Sequence, residues 1–150
     1  MQSRPAFILR PAQSGDAAAI RSLIHLVDIN PLGLDWRRFV LIVDGEDQLL
    51  ACGQIKPHRD GSRELASIAV RPGYRRQGLA REIIAHLLSA QPPPLYLTCR
   101  KSLRPFYRPF GFQDVSPGLS TPYFYLVSRI SRLLERLAGF EGIQVMRKDA

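Results

Sequence analysis

The sequence predicts one α/β domain over residues 1–150, with a twisted, mixed, mostly antiparallel sheet flanked by helices. Three observations predict it. Short β-branched and aliphatic runs recur along the chain between Gly, Pro and Asp, as strands do. Two segments, from Ala17 and from Leu79, carry apolar residues at helical spacing, and a third does so from Pro122 to Ala138. Between the first two helical segments and around the second, the strand-like runs are dense enough to pair with one another. A chain of 150 residues is the right size for one core, and 45% hydrophobic with 23% charged residues is ordinary for a globular protein.

The elements follow in order. Phe7–Arg10 reads as a first strand, ended by Pro11. Ser14 is placed to cap a helix starting near Asp16, whose apolar face is Ala17, Ile20, Leu23, Ile24 and Val27. Asn30–Leu34 is a loop by its proline and glycine, and Asp35–Phe39 is a helical turn or the approach to a strand. Phe39–Val43 is a strand, Asp44–Asp47 a hairpin turn, and Gln48–Lys56 the returning strand. Gly53 within it marks a bulge or a close backbone approach. After a polar loop, Arg63–Val70 is the next strand; at period two, Glu64, Ala66, Ile68 and Val70 share a face.

The second helix carries Leu79, Ile83, Ile84, Leu87 and Leu88 on one face and stops at Gln91 and three prolines. Leu95–Cys99 is a strand. Lys101–Phe110 is a short helix distorted by Pro105 and Pro109 and ended by Gly111. Phe112–Val115 is a strand. Thr121 caps a helix with Pro122 at its first position and Gly139 at its close, and Leu126, Val127, Ile130, Leu133, Leu134 and Leu137 form its apolar face. Gly142–Arg147 is a final strand.

Charge is unevenly placed. The net charge is +8, carried by 18 Arg and 3 Lys against 13 acids, and residues 71–108 hold eight basic residues and one acidic. This excess surrounds the junction where a strand meets the second helix. Gly78 there lets backbone approach a ligand closely, and the first amides of the helix lack intrahelical partners in a field that favours anions. A pyrophosphate suits such a place, with Arg75, Arg76 and Arg81 around it. Nucleic acid is disfavoured as a partner, because no aromatic–basic interleaving of an RNA-binding module is present. No apolar run reaches the length of a membrane span, and Met1–Arg10 holds no secretory leader, which makes the cytoplasm the default compartment. No metal site is read from the sequence.

Two blocks carry a family resemblance. Val70, Pro72, Tyr74, Arg75, Gly78 and Ala80, set between a strand and a helix, resemble the acetyl-CoA signature of the GCN5-related N-acetyltransferases (GNAT). Phe106-Tyr107-Arg108-Pro109-Phe110-Gly111-Phe112 resembles that family's late helix and the Gly-Phe after it. The resemblance covers nearly the whole chain and implies the GNAT fold, acetyl-CoA as donor, and direct transfer to an amine in a ternary complex. It implies that backbone groups of Ile68, Ala69 and Val70 bind the pantetheine and face the thioester. Amides from Arg76, Gln77, Gly78, Leu79 and Ala80, with Arg75 and Arg81 beside them, would bind the pyrophosphate. In the family's strand order one strand lies between those of Cys52 and Cys99, which puts them about 10 Å apart at about 4.8 Å per strand, beyond disulfide reach.

Transfer to an amine also needs an acid and a base. A lysine-like amine has a pKa of about 10.4, so roughly one in a thousand is neutral at pH 7, a handicap of roughly 4 kcal/mol that a general base can offset. Tyr107 matches the family tyrosine that reprotonates the thiolate. Glu64 is the leading base candidate, ahead of Asp60, His58 and Asp114. Trp36, Tyr123 and Tyr125 are candidates to line the acceptor side. Two positions depart from the family: Arg100 stands where an asparagine is common, and Leu95 where ribosomal-protein acetyltransferases carry a glutamate. The acceptor is a small-molecule or protein amine, and the chain a monomer or homodimer. The competing reading is a non-catalytic CoA-binding sensor or interaction module of the same fold.

Overall fold

A computed structural model describes residues 6–150. Met1–Pro5, the first half of the stretch read for a leader, lie outside the described residues. The chain forms two compact units, one of residues up to 56 with 65–91, the other of residues 57–64 with 92–150.

The first unit holds β1 (Ile8–Pro11), α1 (Ala17–Leu26), β2 (Phe39–Val43), most of β3 (Leu49–Pro57), most of β4 (Arg63–Val70) and α2 (Leu79–Ser89). Its strands pair in the order β1-β2-β3-β4. β1 and β2 are antiparallel from Ile8 opposite Val43, and β2 and β3 are antiparallel with a register shift between Ile42 and Val43. α1 lays Ile20, Leu23 and Ile24 on Phe39, Leu41, Val43 and Cys52, all essentially sealed from solvent. The helix enters differently from the expectation. A 3-10 turn, Ser14–Asp16, precedes it, and the Ser14 hydroxyl caps nothing. Instead the Asp16 carboxylate accepts from the Gln13 N–H at 2.7 Å and pairs with Arg10 at 2.8 Å. The longer carboxylate reaches back over the turn and also answers a nearby cation.

Gly53 is the close approach that its place in β3 suggested. A Cβ there would stand 2.6 Å from both Ile68 Cδ1 and Ile83 Cγ2, so α2 packs directly on the β3 backbone at this point. The period-two face of β4 does not run unbroken. Ser67 has φ 58°, a left-handed residue inside a strand, and the pleat that would align Glu64 and Ala66 with Ile68 and Val70 is interrupted there. Gln54, fully buried on β3, donates to the Ser67 hydroxyl at 2.8 Å and to the Gly33 carbonyl at 3.2 Å, which helps to hold the unusual backbone.

The second unit holds β5 (Leu95–Arg100), α3 (Arg104–Tyr107), β6 (Gln113–Asp114), α4 (Pro122–Ala138) and β7 (Ile143–Lys148). Glu64, at the start of β4, pairs in parallel with Tyr96 of β5. β7 runs antiparallel to β5, from Leu95 opposite Lys148 to Arg100 opposite Ile143, and antiparallel to β6. The proline-bearing stretch Lys101–Phe110 is one short α-turn set between two 3-10 turns, ended by Gly111 at φ 96°.

α4 has the bounds the sequence predicts, but it packs by another face. Phe124, Ser128 and Ser131 are buried, with Phe124 stacked on Tyr96 at 4.7 Å beside Val115 and Val145. Leu126, Ile130, Leu133, Leu134 and Leu137 are exposed. The Ser131 hydroxyl accepts from the Ile143 N–H at 3.0 Å, so a small polar face meets the start of β7 and one aromatic anchor supplies the apolar contact. No helix among the described residues is long and apolar enough to cross a membrane.

Candidate active site

In the first unit, β4 runs into a loop and then α2. The loop is shaped by left-handed backbone at Gly73 (φ 93°), Arg76 (φ 63°) and Gly78 (φ 80°), and Gly78 is the N-cap of α2. A left-handed residue beside a right-handed one turns two neighbouring amides toward one point, a geometry suited to anions. No side chain caps α2, and a Cβ on Gly78 would meet nothing within 4 Å, so open space lies against the first amides of the helix. Leu79 is buried as the helix's first apolar anchor, while Arg75, Arg76, Gln77 and Arg81 are exposed around the junction. Arg71 is otherwise engaged: its N–H and Nε donate to the carbonyls of Leu50 and Leu49 at 2.7 and 2.8 Å, tying the loop's root to β3. Upstream, Ala69 is buried in the core, while Ile68 and Val70 are half-buried.

Trp36 also lies in this unit. It stands in a 3-10 turn that the Asp35 carboxylate caps through the Arg37 N–H at 3.1 Å. The indole packs against the Ile20–Phe39 core and lines a cavity of about 210 Å3 with Arg21, Leu34, Asp35 and Arg37.

The second unit gathers a polar cluster. Glu64 is only 5% exposed. Its Oε1 is 3.1 Å from His58 Nε2, and its Oε2 accepts from the Thr98 hydroxyl at 3.3 Å. An ionised carboxylate only accepts, so in a bond to it Nε2 is the donor. The His58 ring stacks on Tyr123 with centroids 3.7 Å apart and meets Phe124 edge-on at 5.5 Å. The hairpin turn after β3 positions His58: its N–H donates to the Ser62 carbonyl at 2.9 Å, which carries the ring back beside the start of β4. His58 ranked behind Glu64 in the sequence; its signal was this hairpin, since residues flanking a short turn come face to face.

Asp60, in the same turn, has a structural task. Its carboxylate accepts from the Ser62 hydroxyl and N–H at 2.5 and 2.9 Å, and from the Tyr123 N–H at 3.1 Å. It therefore caps α4 from a distant part of the chain, where Thr121 occupies the cap position without a side-chain bond. These hydrogen bonds, the Ser62 hydroxyl first, hold the Asp60 carboxyl well below its ordinary value. Asp114 is engaged by Arg104 at 3.2 Å.

Tyr107 ends α3 with its ring against Phe106 and Phe112. Burial, and then the neighbouring Cys99, push its phenol up to about 12, so it is a proton donor at physiological pH. Cys52 and Cys99 are both buried and free, with burial raising their thiols to about 12 and about 11. Tyr125 lies under Arg129, whose guanidinium carbon is 5.9 Å from the ring centre, and does not join the His58 cluster.

Residues 35–114 match the family model described as an acetyltransferase (GNAT) domain. No curated protein matches the chain by sequence. Among solved structures it resembles N-acetylglutamate synthase from Neisseria gonorrhoeae, solved with coenzyme A and N-acetyl-glutamate, at TM-score 0.71 and 17% identity; 98% of this chain aligns with 36% of that one, so the chain spans about a third of that relative's length. A Mycobacterium tuberculosis protein solved with CoA and NLQ aligns at TM-score 0.70 and 17% identity, over 95% of this chain and 99% of that one. A GNAT-family acetyltransferase from Staphylococcus aureus Mu50 aligns at TM-score 0.68 and 11% identity, over 96% and 99%. At such identities the likeness is one of fold, and it agrees with the mixed sheet and flanking helices. More than half of the chain answers to the family model, and the chain belongs to the GNAT acetyltransferase family.

Proposed function

We propose that the chain transfers an acetyl group from acetyl-CoA to an amine, small-molecule or protein-borne, by direct attack in a ternary complex. The observation that carries the donor half is the open, uncapped start of α2 behind three left-handed residues, in a chain that belongs to an acetyltransferase family. Arg75, Arg76, Gln77, Gly78, Leu79, Ala80 and Arg81 would hold the pyrophosphate, and the backbone of Ile68, Ala69 and Val70 the pantetheine. Bound acetyl-CoA supplies the activated acetyl group and a thiolate leaving group.

The chain's own residues then handle protons. Tyr107 keeps a proton on its phenol oxygen for a leaving sulfur, and its raised pKa ensures that it holds this proton at neutral pH. His58 and Glu64 form the base: Nδ1 takes the proton of the acceptor ammonium, and the buried carboxylate on Nε2 orients the ring and stabilises the imidazolium. Trp36, Tyr123 and Tyr125 are proposed to contact the acceptor, Tyr123 being the one in contact with the base.

The test is a panel of polyamines, amino acids, peptide N-termini and lysine side chains, followed by free CoA release and mass spectrometry of the product. At least one amine should yield stoichiometric N-acetyl product. Acetylation confined to alcohols or thiols, or acetyl-CoA hydrolysis alone, overturns the amine assignment.

A further inference from the structure

The outward side of α4 is apolar and uncovered. Leu126, Ile130, Leu133, Leu134 and Leu137 are 57, 51, 57, 49 and 75% exposed, and Phe140, just beyond the Gly139 cap, is 68% exposed. At 3.6 residues per turn the five aliphatic side chains fall within an arc of roughly 100°. They are not surplus core residues, because Phe124, Ser128 and Ser131 already make the helix's inward contact.

One flank of this arc is uniformly cationic. Arg129, Arg132 and Arg136 are all exposed, and none has an ion-pair partner among the described residues. The helix's single acid, Glu135, is bound by Lys101 at 3.0 Å and leaves the flank's charge unopposed. The partner of this face must therefore offer apolar matter beside negative charge. A second copy of the chain offers the first and not the second. Antiparallel two-fold pairing of α4 sets the arginine row against its own like, and the chain carries a net charge of +8.

We infer that α4 docks on an anionic lipid surface. The helix lies in the interface with Leu126, Ile130, Leu133 and Leu137 in the outer acyl layer, and Arg129, Arg132 and Arg136 on lipid phosphates. Low average hydrophobicity with a sharply divided surface is the pattern of a helix that lies on a bilayer rather than crossing it. Tyr123, on the first turn of the same helix, stacks on His58, so docking places the His58–Glu64 cluster beside the membrane.

The full chain is sedimented with vesicles of phosphatidylcholine alone, and with vesicles in which about a third of the lipid is phosphatidylserine. Binding should be at least about tenfold tighter to the anionic vesicles and weaken with added salt. Replacing the three arginines by glutamine should weaken it about a hundredfold. Leu133→Ser with Leu137→Ser should abolish it, while melting temperature and CoA affinity stay at wild-type values. Equal binding to both vesicle types overturns the inference, as does no binding to either. So does a stable dimer in light scattering that the Leu133→Ser, Leu137→Ser variant dissolves.

Discussion

His58 stands 3.1 Å from Glu64, Nε2 to Oε1, with their side chains 11 and 7% exposed. A carboxylate this enclosed does not meet an acceptor freely, so in the proposed reaction it would act through the imidazole on it. Glu64→Gln keeps the shape and removes the charge. His58→Phe keeps the stack on Tyr123 and removes both nitrogens. Each should lower kcat by about 10²–10⁴ with CoA affinity unchanged, and the double variant should be little worse than either alone, because the two act as one unit. Independent, multiplying losses in steady-state kinetics would separate their roles and refute the pairing.

Tyr107→Phe should reduce kcat by about 10²–10⁴ while leaving the KM for acetyl-CoA close to wild type. The phenol is raised from 10 to about 12, so the donor form persists through the alkaline range and no loss of rate from its ionisation is expected near pH 10. Linkage has the same sign. The unfolded chain ionises this tyrosine first, so its contribution to stability is intact below pH 10 and is lost as pH rises toward 12. A Tyr107→Phe enzyme with full kcat would show that the proton comes from elsewhere.

Gly78→Glu places a Cβ and a negative charge at a residue with φ 80° that caps α2. Left-handed backbone costs a non-glycine residue about 1–2 kcal/mol, and the carboxylate competes with phosphate for the same amides. Calorimetry should show CoA affinity reduced at least about a hundredfold with the far-ultraviolet circular dichroism preserved. Unaltered affinity removes the loop from the donor site.

Asp60→Ala should cost about 1 kcal/mol, the usual worth of a helix cap, with the loss concentrated in α4. Because the Asp60 carboxyl is held well below its ordinary 3.8, its contribution is fully present above that value and fades as pH falls below it. The melting-temperature gap between wild type and variant should thus be constant near neutrality and close in strong acid. A gap independent of pH down to full acid unfolding contradicts the capping role.

Gly53→Ala puts a methyl 2.6 Å from Ile68 and Ile83 and 3.2 Å from Leu87, within a sealed layer. Such overpacking costs about 1–3 kcal/mol, to be read from urea denaturation at unchanged slope. A variant as stable as wild type would mean that α2 can lift from β3 without penalty.

The chain's local order was legible because its signals are local. β2 and β4 lie where their aliphatic runs and bounding turn residues put them, and α2 buries Leu79, Ile83, Ile84 and Leu87 on the face that helical spacing assigns. Proline at the first position and Gly139 at the close fixed the bounds of α4. The junction between β4 and α2 was equally readable: the glycine stands where the loop turns left-handed into the helix, and the anion site proposed there rests on backbone amides and a helix dipole that need no distant partner.

Tertiary structure decided what depends on residues far apart in the chain. Spacing shows that α4 has an apolar stripe but not whether its own fold covers it; Phe124 meeting Tyr96, and Ser131 meeting Ile143, turned the leucines outward. Strand alternation carries no warning of the left-handed Ser67, which Gln54 and the packing around it sustain. The cap of α4 comes from Asp60, sixty-three residues away. The enclosure of Glu64 by His58 and Thr98 needs a hairpin and a parallel strand at once. Periodicity fixes which residues share a face. Only the competition among all faces for burial, and among all polar groups for partners, settles which face turns inward and which carboxylate is enclosed.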